Sequence, residues 1–566
     1  MKTNFNFSST SNLPPLKIIP LGGLEEIGKN MTLFEYEGKI LIVDMGLQFP
    51  DAKMPGIDYI IPNVSYLQGK EENILGVVFT HGHYDHIGAI PYLIQKIGNP
   101  PLFATPLTKG IILKRQEDFP SRVKLNLHQI KREDEISLPP FIIKTFPQNH
   151  NIPDNIGLLI KTPVGNILHT GDFKFDLTPI GDKPTNISKI AKLCEEGILL
   201  LMSDSTNAEI PGFSLSEKNI QDNLEKIFEK AKGRIIAATF ASLLSRIQEL
   251  INLAEKFKRK VIIEGYSMKS DVEIGVKLGY LKIKKDTLIT PRELRHLPDR
   301  KILIICTGSQ GEGDAVLMKL SHKEHPFISI KKGDSVILSS SVVPGNERAV
   351  QELKDLLSYQ GAKIFHSQMM DIHATGHAQR EELKMMINIA KPKFFMPIHG
   401  SRYMREIHKE IALDLKIPEK NIIIAQNGSI IELNKDSVKI RKERVPAGPV
   451  MVDGLGVGDV GEVVLRDRQM MAQDGMFVIV VIVDSSTGRV AQSPDIISRG
   501  FVYLRESKQL LREVRKRVIR LVEKITVSKY PTNFTFVKNK IREDLGEFLF
   551  KKTSRRPMIL PVVIEV

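Results

Sequence analysis

Six consecutive residues, His81-Gly82-His83-Tyr84-Asp85-His86, hold three of the 14 histidines in this chain together with an aspartate. Histidine titrates near neutral pH and is costly to bury in its charged form, so such a cluster calls for a partner that takes up its lone pairs. The apolar run "ILGVVFT" before it reads as a buried strand, and "IGAIPYLI" after it reads as the start of a helix. The cluster therefore belongs on a loop at a strand end, where α/β folds usually place their sites. Imidazole nitrogen and carboxylate oxygen suit zinc or a similar divalent ion. Four donors on one tight turn serve two adjacent ions better than one. His81 and His83 alternate along an extended turn and face the first ion; Asp85 and His86 face the second. A surface turn with chance histidines is the plainer reading, and the complete H-x-H-x-D-H string outweighs it.

One turn does not close two coordination shells, so later strand ends have to contribute. "FPQNHNIPDNIG" offers His150, "ILHTGDFKFD" offers Asp172 after a glycine, placed to bridge two metals, and "FFMPIHGS" offers His399. His169 lies inside the "ILHT" strand and reads as a packed histidine, so it is set aside.

At 566 residues the chain exceeds what one hydrophobic core supports. Residues 1–15 read as a flexible polar tail. Residues 16–211 carry short strands in a two-sheet α/β pattern. From 212 to 365 strands alternate with helices, which predicts a parallel sheet with crossover helices. Residues 366–442 return to strands and histidines, the Gly- and Pro-rich stretch 443–460 reads as a linker, and 461–566 reads as a small α/β domain. Within it, "SKQLLREVRKRVIRLVEKI" is an amphipathic helix with a basic outer face.

No apolar run approaches the roughly 18 residues of a membrane-spanning helix, and "MKTNFNFSSTSNLPPLK" lacks the apolar stretch of a signal peptide. With only Cys194 and Cys306 the chain has no disulfide framework, and a reducing cytoplasm is the simplest location. The formal charge is +14. From Gly461 to Val566, 20 Lys and Arg stand against 12 Asp and Glu, so +8 of it lies there. Such a surface attracts phosphate backbones, though a solvated basic face is the plainer reading.

Taken together, the cluster, then His150, Asp172 and His399 in that order, resemble the metallo-β-lactamase superfamily, and the long insertion before His399 resembles its nucleic-acid-processing β-CASP branch. The closest likeness is to the ribonuclease J family. "IIPLGGLEEIGKNM", "FPDAKMPGIDYIIPN", "THGHYDHIGAIPYL", "HNIPD", "HTGDFKFD", "SDSTNAE", "CTGSQGE", "PGNE", "HATGHA" and "IHG" resemble its blocks in order, from about residue 16 to the C-terminus.

The resemblance implies an α/β fold: a metallo-β-lactamase αββα sandwich, an inserted β-CASP domain and a small α/β C-terminal domain. It places His81, His83 and His150 on one metal and Asp85, His86 and His399 on the other, with Asp172 bridging. The cofactors it implies are two divalent ions, zinc with manganese as the alternative. His373-Ala374-Thr375-Gly376-His377 matches the loop that lies against the scissile phosphate, and Asp204 matches the acidic partner of His377. Two ions acidify an attacking water and neutralise charge on the phosphate. Asp85 and the His377–Asp204 pair complete the expected catalytic set, with His377 as general acid. A turn or helix cap is the plainer reading of "SDSTNAE".

The implied activity is RNA decay and maturation: 5′→3′ exonucleolysis favouring 5′-monophosphate RNA, with endonucleolytic cuts, giving 5′-phosphate and 3′-hydroxyl products. Implied partners are single-stranded RNA, further copies of the chain in a dimer or tetramer, and other RNA-decay proteins or the ribosome, with no membrane. A DNA nuclease of the same superfamily and a catalytically weak RNA-binding subunit are the alternatives. Three places depart from the family wording: Glu25 where Gly is common, Leu243 where Asn is frequent, and "GSQGEGDAVL" after its shared start. Ser242 and Arg246 are near enough in sequence to meet a phosphate, but Arg246 reads as a helix-surface charge.

Overall fold

Period-two alternation of apolar residues lays down two sheets that share a core. The computed structural model describes residues 13–51, 53–119, 123–343, 345–502, 507–527 and 533–566, so the expected N-terminal tail lies, up to residue 12, outside the described residues. The first sheet has eight strands, in spatial order Val438–Arg444, Ser429–Leu433, Leu16–Gly22, Met31–Tyr36, Lys39–Val43, Ile74–Val78, Leu102–Ala104 and Leu127–Gln129. The second has six: Phe394–Ile398, Leu200–Asp204, Gly165–His169, Ile156–Thr162, Phe141–Pro147 and Glu135–Leu138. Leu16, Ile18, Phe34 and Leu41 of the first pack with Ile143, Leu158, Leu200 and Met396 of the second. The alternate residues Leu159, Leu168, Leu201 and Phe395 turn outward, under helices Ile187–Cys194, Arg380–Ala390 and Arg402–Asp414. Each side chain so buried contributes roughly 1.5–3 kcal/mol.

Strand direction gathers the chemistry. Gly165–His169, Leu200–Asp204 and Phe394–Ile398 are parallel neighbours. Phe141–Pro147 runs the same way, being antiparallel to Ile156–Thr162, which is antiparallel to Gly165–His169. Their C-terminal ends therefore release His150, Asp172, Asp204 and His399 along one edge.

Between Leu200–Asp204 and its parallel neighbour Phe394–Ile398 the chain builds a separate five-stranded sheet. Its order is Lys260–Glu264, Ile302–Cys306, Ile235–Ala238, Ser335–Leu338, Lys363–His366, all parallel, as the alternation of helix and strand predicts.

The chain divides into two compact units, residues 1–49 with 59–450, and residues 50–58 with 451–566. In the second unit, Met476–Val483 lies between Asp495–Arg499 and Met558–Glu565. Helices Lys508–Thr526 and Phe534–Thr553 cover one face of this sheet through Val514, Val518, Val522, Ile541 and Leu545. No helix among the described residues is long and apolar enough to cross a membrane. Cys194 and Cys306 are free and buried.

Four local features differ from the sequence reading. "AIPYLIQKIG" is not one helix but two single turns, Ile90–Leu93 and Gln95–Ile97, and Gly98 ends the run in a left-handed conformation. Of "NIIIAQNGSIIEL", only Ser429–Leu433 is strand. The stretch read as a linker holds two short paired strands, Val450–Asp453 and Gly456–Val457. Residues 50–58 join the C-terminal unit, with the Asp58 amide donating to Val452 O at 2.9 Å and Arg468 Nη1 donating to Gly56 O at 3.2 Å.

Candidate metal centre

His81 and His83 follow the strand Ile74–Val78 in extended backbone, but Asp85 and His86 do not continue that loop as expected. They lie on a helical turn, Tyr84–Ile87, closed by the amides of His86 and Ile87 donating to His83 O at 2.9 and 3.0 Å. The turn swings the second pair of donors away from the first.

All seven side chains singled out as ligands converge. Donor atoms of His81, His83 and His150 lie within 4.8 Å of one another, as do those of Asp85, His86, Asp172 and His399. Asp172 stands between the groups: its Oδ2 is 3.8 Å from His81 Nε2, 3.9 Å from His150 Nε2 and 3.3 Å from His86 Nε2, and its Oδ1 is 3.8 Å from His399 Nδ1. A third overlapping group contains Asp172, Asp204, His377 and His399.

The outer partners of the imidazoles decide what faces inward. Thr80 Oγ1 donates to Asp44 Oδ2 at 2.9 Å, so at 3.0 Å it accepts from His81 Nδ1. His86 Nδ1 donates to Asp44 Oδ2 at 2.7 Å, and His150 Nδ1 donates to Gly376 O at 2.6 Å. Thr206 Oγ1 donates to Asp204 Oδ1 at 2.7 Å and accepts from His399 Nδ1 at 2.8 Å. Four histidines thus spend Nδ1–H on the protein and turn Nε2 into the cluster, the usual second-shell control of a metal-binding tautomer. His83 turns Nδ1 inward, 3.0 Å from His81 Nε2 and 3.2 Å from His150 Nε2. Three buried imidazole nitrogens this close, with no acid among them, are a donor set that a cation fits.

Electrostatics separates the two groups. Burial holds His81 and His150 well below the usual imidazole range and brings His83 to about 4, so this trio is neutral. Burial pushes His86 down too, but the carboxylates of Asp172, Asp85 and Asp44 outweigh it and hold that ring well above 6.5. At His399 burial is likewise outweighed, by Asp172 and by bonds to Asp204 and Asp85, which bring it to about 10. Without a cation, protons on His86 and His399 balance the carboxylates.

His377 sits at the open side, its side chain 19% exposed against 3% or less for His81, His86, His150 and His399. Its Nδ1 donates to Asp204 Oδ2 at 2.7 Å. Burial opposes charge here, but Asp204 outweighs it and the pKa is raised, which favours the charged ring, with Nε2 left over. Asp204 also accepts from the Thr206 amide at 2.9 Å, so the turn foreseen for "SDSTNAE" and the pairing with His377 are both present.

The loop 373–377 is pinned along its length. Ile372 O accepts from Ser339 Oγ at 2.7 Å and from Arg246 Nη1 at 2.6 Å. Asn207 Nδ2 donates to Thr375 Oγ1 at 2.8 Å and to His377 O at 3.2 Å, and the Ala378 amide donates to Phe173 O at 2.6 Å. Ala374 is buried, and a Cβ on Gly376 would come within 2.5 Å of the His150 ring. His373 Nδ1 is buried without a partner, and burial together with Arg246 lowers this ring to about 3.

Arg246 is not the helix-surface charge expected. It is fully buried, with Nε donating to Glu249 Oε2 at 2.9 Å, Nη2 bonded to Glu217, and Nη1 bonded to Ser339 as well as Ile372. Its stripe on the helix Leu244–Lys256 faces inward with Ile247 and Leu250, where Glu249 of the same helix and Glu217 from the preceding one make its burial tolerable. Ser242 is half-buried in the turn before that helix. Leu243 occupies the N-cap without a side-chain bond and is itself buried, trading a cap for apolar contact. Glu25 has φ +63°, a conformation glycine adopts without strain, and its carboxylate bonds Arg402 and Gln426. Gln310 of "GSQGEGDAVL" is buried, donating to Ser340 Oγ at 2.8 Å and Ser341 O at 2.7 Å.

Asp44, Thr80 and Thr206 went unnoticed in the sequence. Asp44 carried a faint signal, an aspartate directly after the apolar strand Lys39–Val43. His169, set aside as a packed histidine, is buried, and its Nδ1 accepts from the Gly171 amide at 3.1 Å.

Comparison with known proteins matches residues 25–195 to the metallo-beta-lactamase superfamily and 232–357 to the ribonuclease J beta-CASP domain. Residues 365–418 match the Zn-dependent metallo-hydrolase RNA specificity domain, and 463–566 the ribonuclease J C-terminal domain. Ribonuclease J 1 of Streptococcus pyogenes serotype M3 is 41% identical over 97% of both chains. Ribonuclease J of Thermus thermophilus is 42% identical over 97% of this chain and 95% of its own. Ribonuclease J2 of Bacillus subtilis is 36% identical over 98% and 99%. A crystal structure of a protein of unknown function from Enterococcus faecalis V583 shares the fold, with TM-score 0.52 and 18% identity over 74% of this chain and all of that one.

Proposed function

We propose, from the premise that this chain belongs to the ribonuclease J family, that its histidine–aspartate cluster holds two divalent cations and cuts RNA from the 5′ end. That it is a metal-dependent ribonuclease follows from the family itself. The observation that carries the site reading is the inward set of ring nitrogens, four of them fixed by Nδ1 bonds to Thr80, Asp44, Gly376 and Thr206. His81, His83 and His150 would hold one cation, Asp85, His86 and His399 the other, with Asp172 shared. The ions are zinc by donor type, with manganese as the alternative. When bound, they supply Lewis acidity toward the phosphate and an acidified water as nucleophile.

The chain's own groups do the rest. The loop His373-Ala374-Thr375-Gly376-His377 lies against the scissile phosphate, held in place by Asn207, Arg246 and Ser339. His377, kept cationic by Asp204, donates a proton from Nε2 to the departing 3′ oxygen. The products are a 5′-phosphate and a 3′-hydroxyl. Processive release from a 5′-monophosphate end is the main mode, with internal cuts beside it, in the decay and maturation of mRNA and rRNA.

Along the chain, residues 16–211 and 366–442 are assigned the catalytic role, 212–365 the RNA-facing insertion and 461–566 the assembly role. The sheet of the C-terminal unit supports self-association into a dimer or tetramer: on the face away from its helices, Ile497, Val562 and Ile564 are 42%, 39% and 43% exposed. Two free buried cysteines suit a reducing cytoplasm.

The test uses a 5′-monophosphorylated, 3′-labelled single-stranded RNA with purified protein and zinc or manganese, alongside 5′-triphosphate RNA and matching DNA. Loss of the label-bearing strand without intermediates, fastest for the monophosphate and absent in Asp172→Ala, is expected. Discrete internal fragments would make endonucleolysis the main mode, and preferred cutting of DNA would reassign the substrate.

A further inference from the structure

Tyr84 stands between two of the assigned ligands, His83 and Asp85, on one helical turn, yet its ring belongs to a different assembly. The guanidinium of Arg115, on the helix Pro106–Glu117, lies 4.9 Å from the Tyr84 centroid, 5.2 Å from that of Tyr59 and 5.4 Å from that of Phe119. The rings continue outward: Tyr59 meets Phe49 at 5.8 Å and Tyr92 at 6.4 Å, and Tyr92 meets Phe119 edge-on at 5.1 Å. Nε and Nη2 of Arg115 are sealed from solvent without a hydrogen-bond partner. A half-buried cation with two idle donors is costly to keep, and the three π faces around it help to compensate.

The wall is partly open. Tyr84, Tyr59 and Phe119 are half-buried, and Phe49 is 65% exposed. The helix Tyr266–Lys277 of the inserted region approaches closely: a Cβ on Gly110 would come within 2.9 Å of Ile274. From that helix Asp271 acts on the Tyr84 phenol, and burial raises its own carboxyl to about 7. The result is a set of partly exposed aromatic rings beginning one residue from the assigned ligands.

We propose that the rings of Tyr84, Tyr59 and Phe119, braced from behind by Arg115, form a base-stacking ledge for single-stranded RNA beside the metal centre. This rests on RNA as the substrate of that centre. A strand whose phosphate lies at the cluster brings the neighbouring bases to Tyr84, and every base offers a π face, so such a ledge holds unpaired RNA without reading its sequence. A base-paired strand keeps its faces covered, so the ledge also selects against duplex.

The test is an abasic scan. RNAs carrying one stable abasic spacer at each of the first several positions from the 5′ end are compared with the intact strand, by kcat/KM and by equilibrium binding. The proteins are wild type, Tyr84→Phe, Tyr84→Leu and Phe119→Leu. At one or two adjacent positions the spacer should cost wild type about tenfold, within the range of a single stacked base. Tyr84→Leu should lose a similar factor on intact RNA and little more on the spacer strand, while Tyr84→Phe follows wild type. A spacer cost that is the same in wild type, Tyr84→Leu and Phe119→Leu at every position overturns the ledge. Base-dependent binding by a wild-type protein that leaves RNA uncut would overturn the hydrolysis and keep the ledge.

Discussion

Two clusters of buried charge lie in the larger unit, and they are built on opposite plans. Around Arg246 every strong charge meets its opposite: two carboxylates and two backbone or hydroxyl oxygens surround the guanidinium, and burial raises Glu249 to about 8 so that the set does not carry a surplus negative charge. Around Asp172 the protein satisfies only the outer side of each group. The inner side collects the five imidazoles and two carboxylates of the proposed ligands, which without a cation are balanced only by protons on His86 and His399. A cluster complete in itself fixes structure. One whose groups are bonded to the protein on the outside and crowded together on the inside has the makings of the proposed cation site.

The sharpest way to break this contrast is Asp172→Ala with metal removal as its companion. Activity should fall to background. The melting temperature of the metal-free protein should change little, because Asp172 is balanced there by protons on His86 and His399 that those rings can release once it is gone. A marked loss of metal-free stability would place Asp172 with the structural cluster instead.

Next in size is Asp204→Asn, expected to slow hydrolysis by roughly 10²–10⁴-fold, the span of a lost general acid. The sign of its pH effect follows from His377. Its pKa is raised chiefly by Asp204, so the acid form survives to higher pH; without that carboxylate only Asp172 is left to oppose burial, and the pKa falls. The alkaline limb of kcat should move to lower pH in the variant. An unmoved limb would remove His377 from the proton transfer.

Arg246→Met should destabilise by about 3–5 kcal/mol in denaturant titration, since it leaves two carboxylates buried and unpaired. Replacing Glu217 and Glu249 by leucine in the same protein should recover most of that loss, which is the signature of a self-contained cluster. The smallest effect belongs to an exposed pair. Arg402 Nη1 lies 3.0 Å from Glu25 Oε1 with the arginine half exposed, and Arg402→Ala should change stability by about 0.5 kcal/mol or less.

The same contrast explains what the sequence discloses. Four of the seven proposed ligands sit within six residues, and the remaining three each follow an apolar strand, so local pattern alone marks them as candidates. The two-sheet core and the parallel insertion were equally readable, because period two and alternating helices are local properties. Arg246 was misread because nothing near it in sequence announces Glu217, 29 residues earlier, or Ile372, 126 residues later. Asp44, Thr80 and Thr206 hold rings rather than ions, and their residue types are too common at strand ends to stand out. The place of residues 50–58 in the C-terminal unit is set by backbone bonds to partners about 400 residues away, which no local pattern encodes.

The insertion between two adjacent parallel strands also has a consequence in time. Thr206 and the ring it orients, His399, are 193 residues apart in the chain, and the strands that carry Asp204 and His399 pair directly. At ordinary rates of synthesis the interval between them is roughly ten to forty seconds. Throughout it the nascent chain displays the first six proposed ligands but lacks the last one and the strand that seats it. A chain that degrades RNA thus lacks one of its proposed ligands for part of the time it is tethered, through its own message, to the RNA nearest at hand.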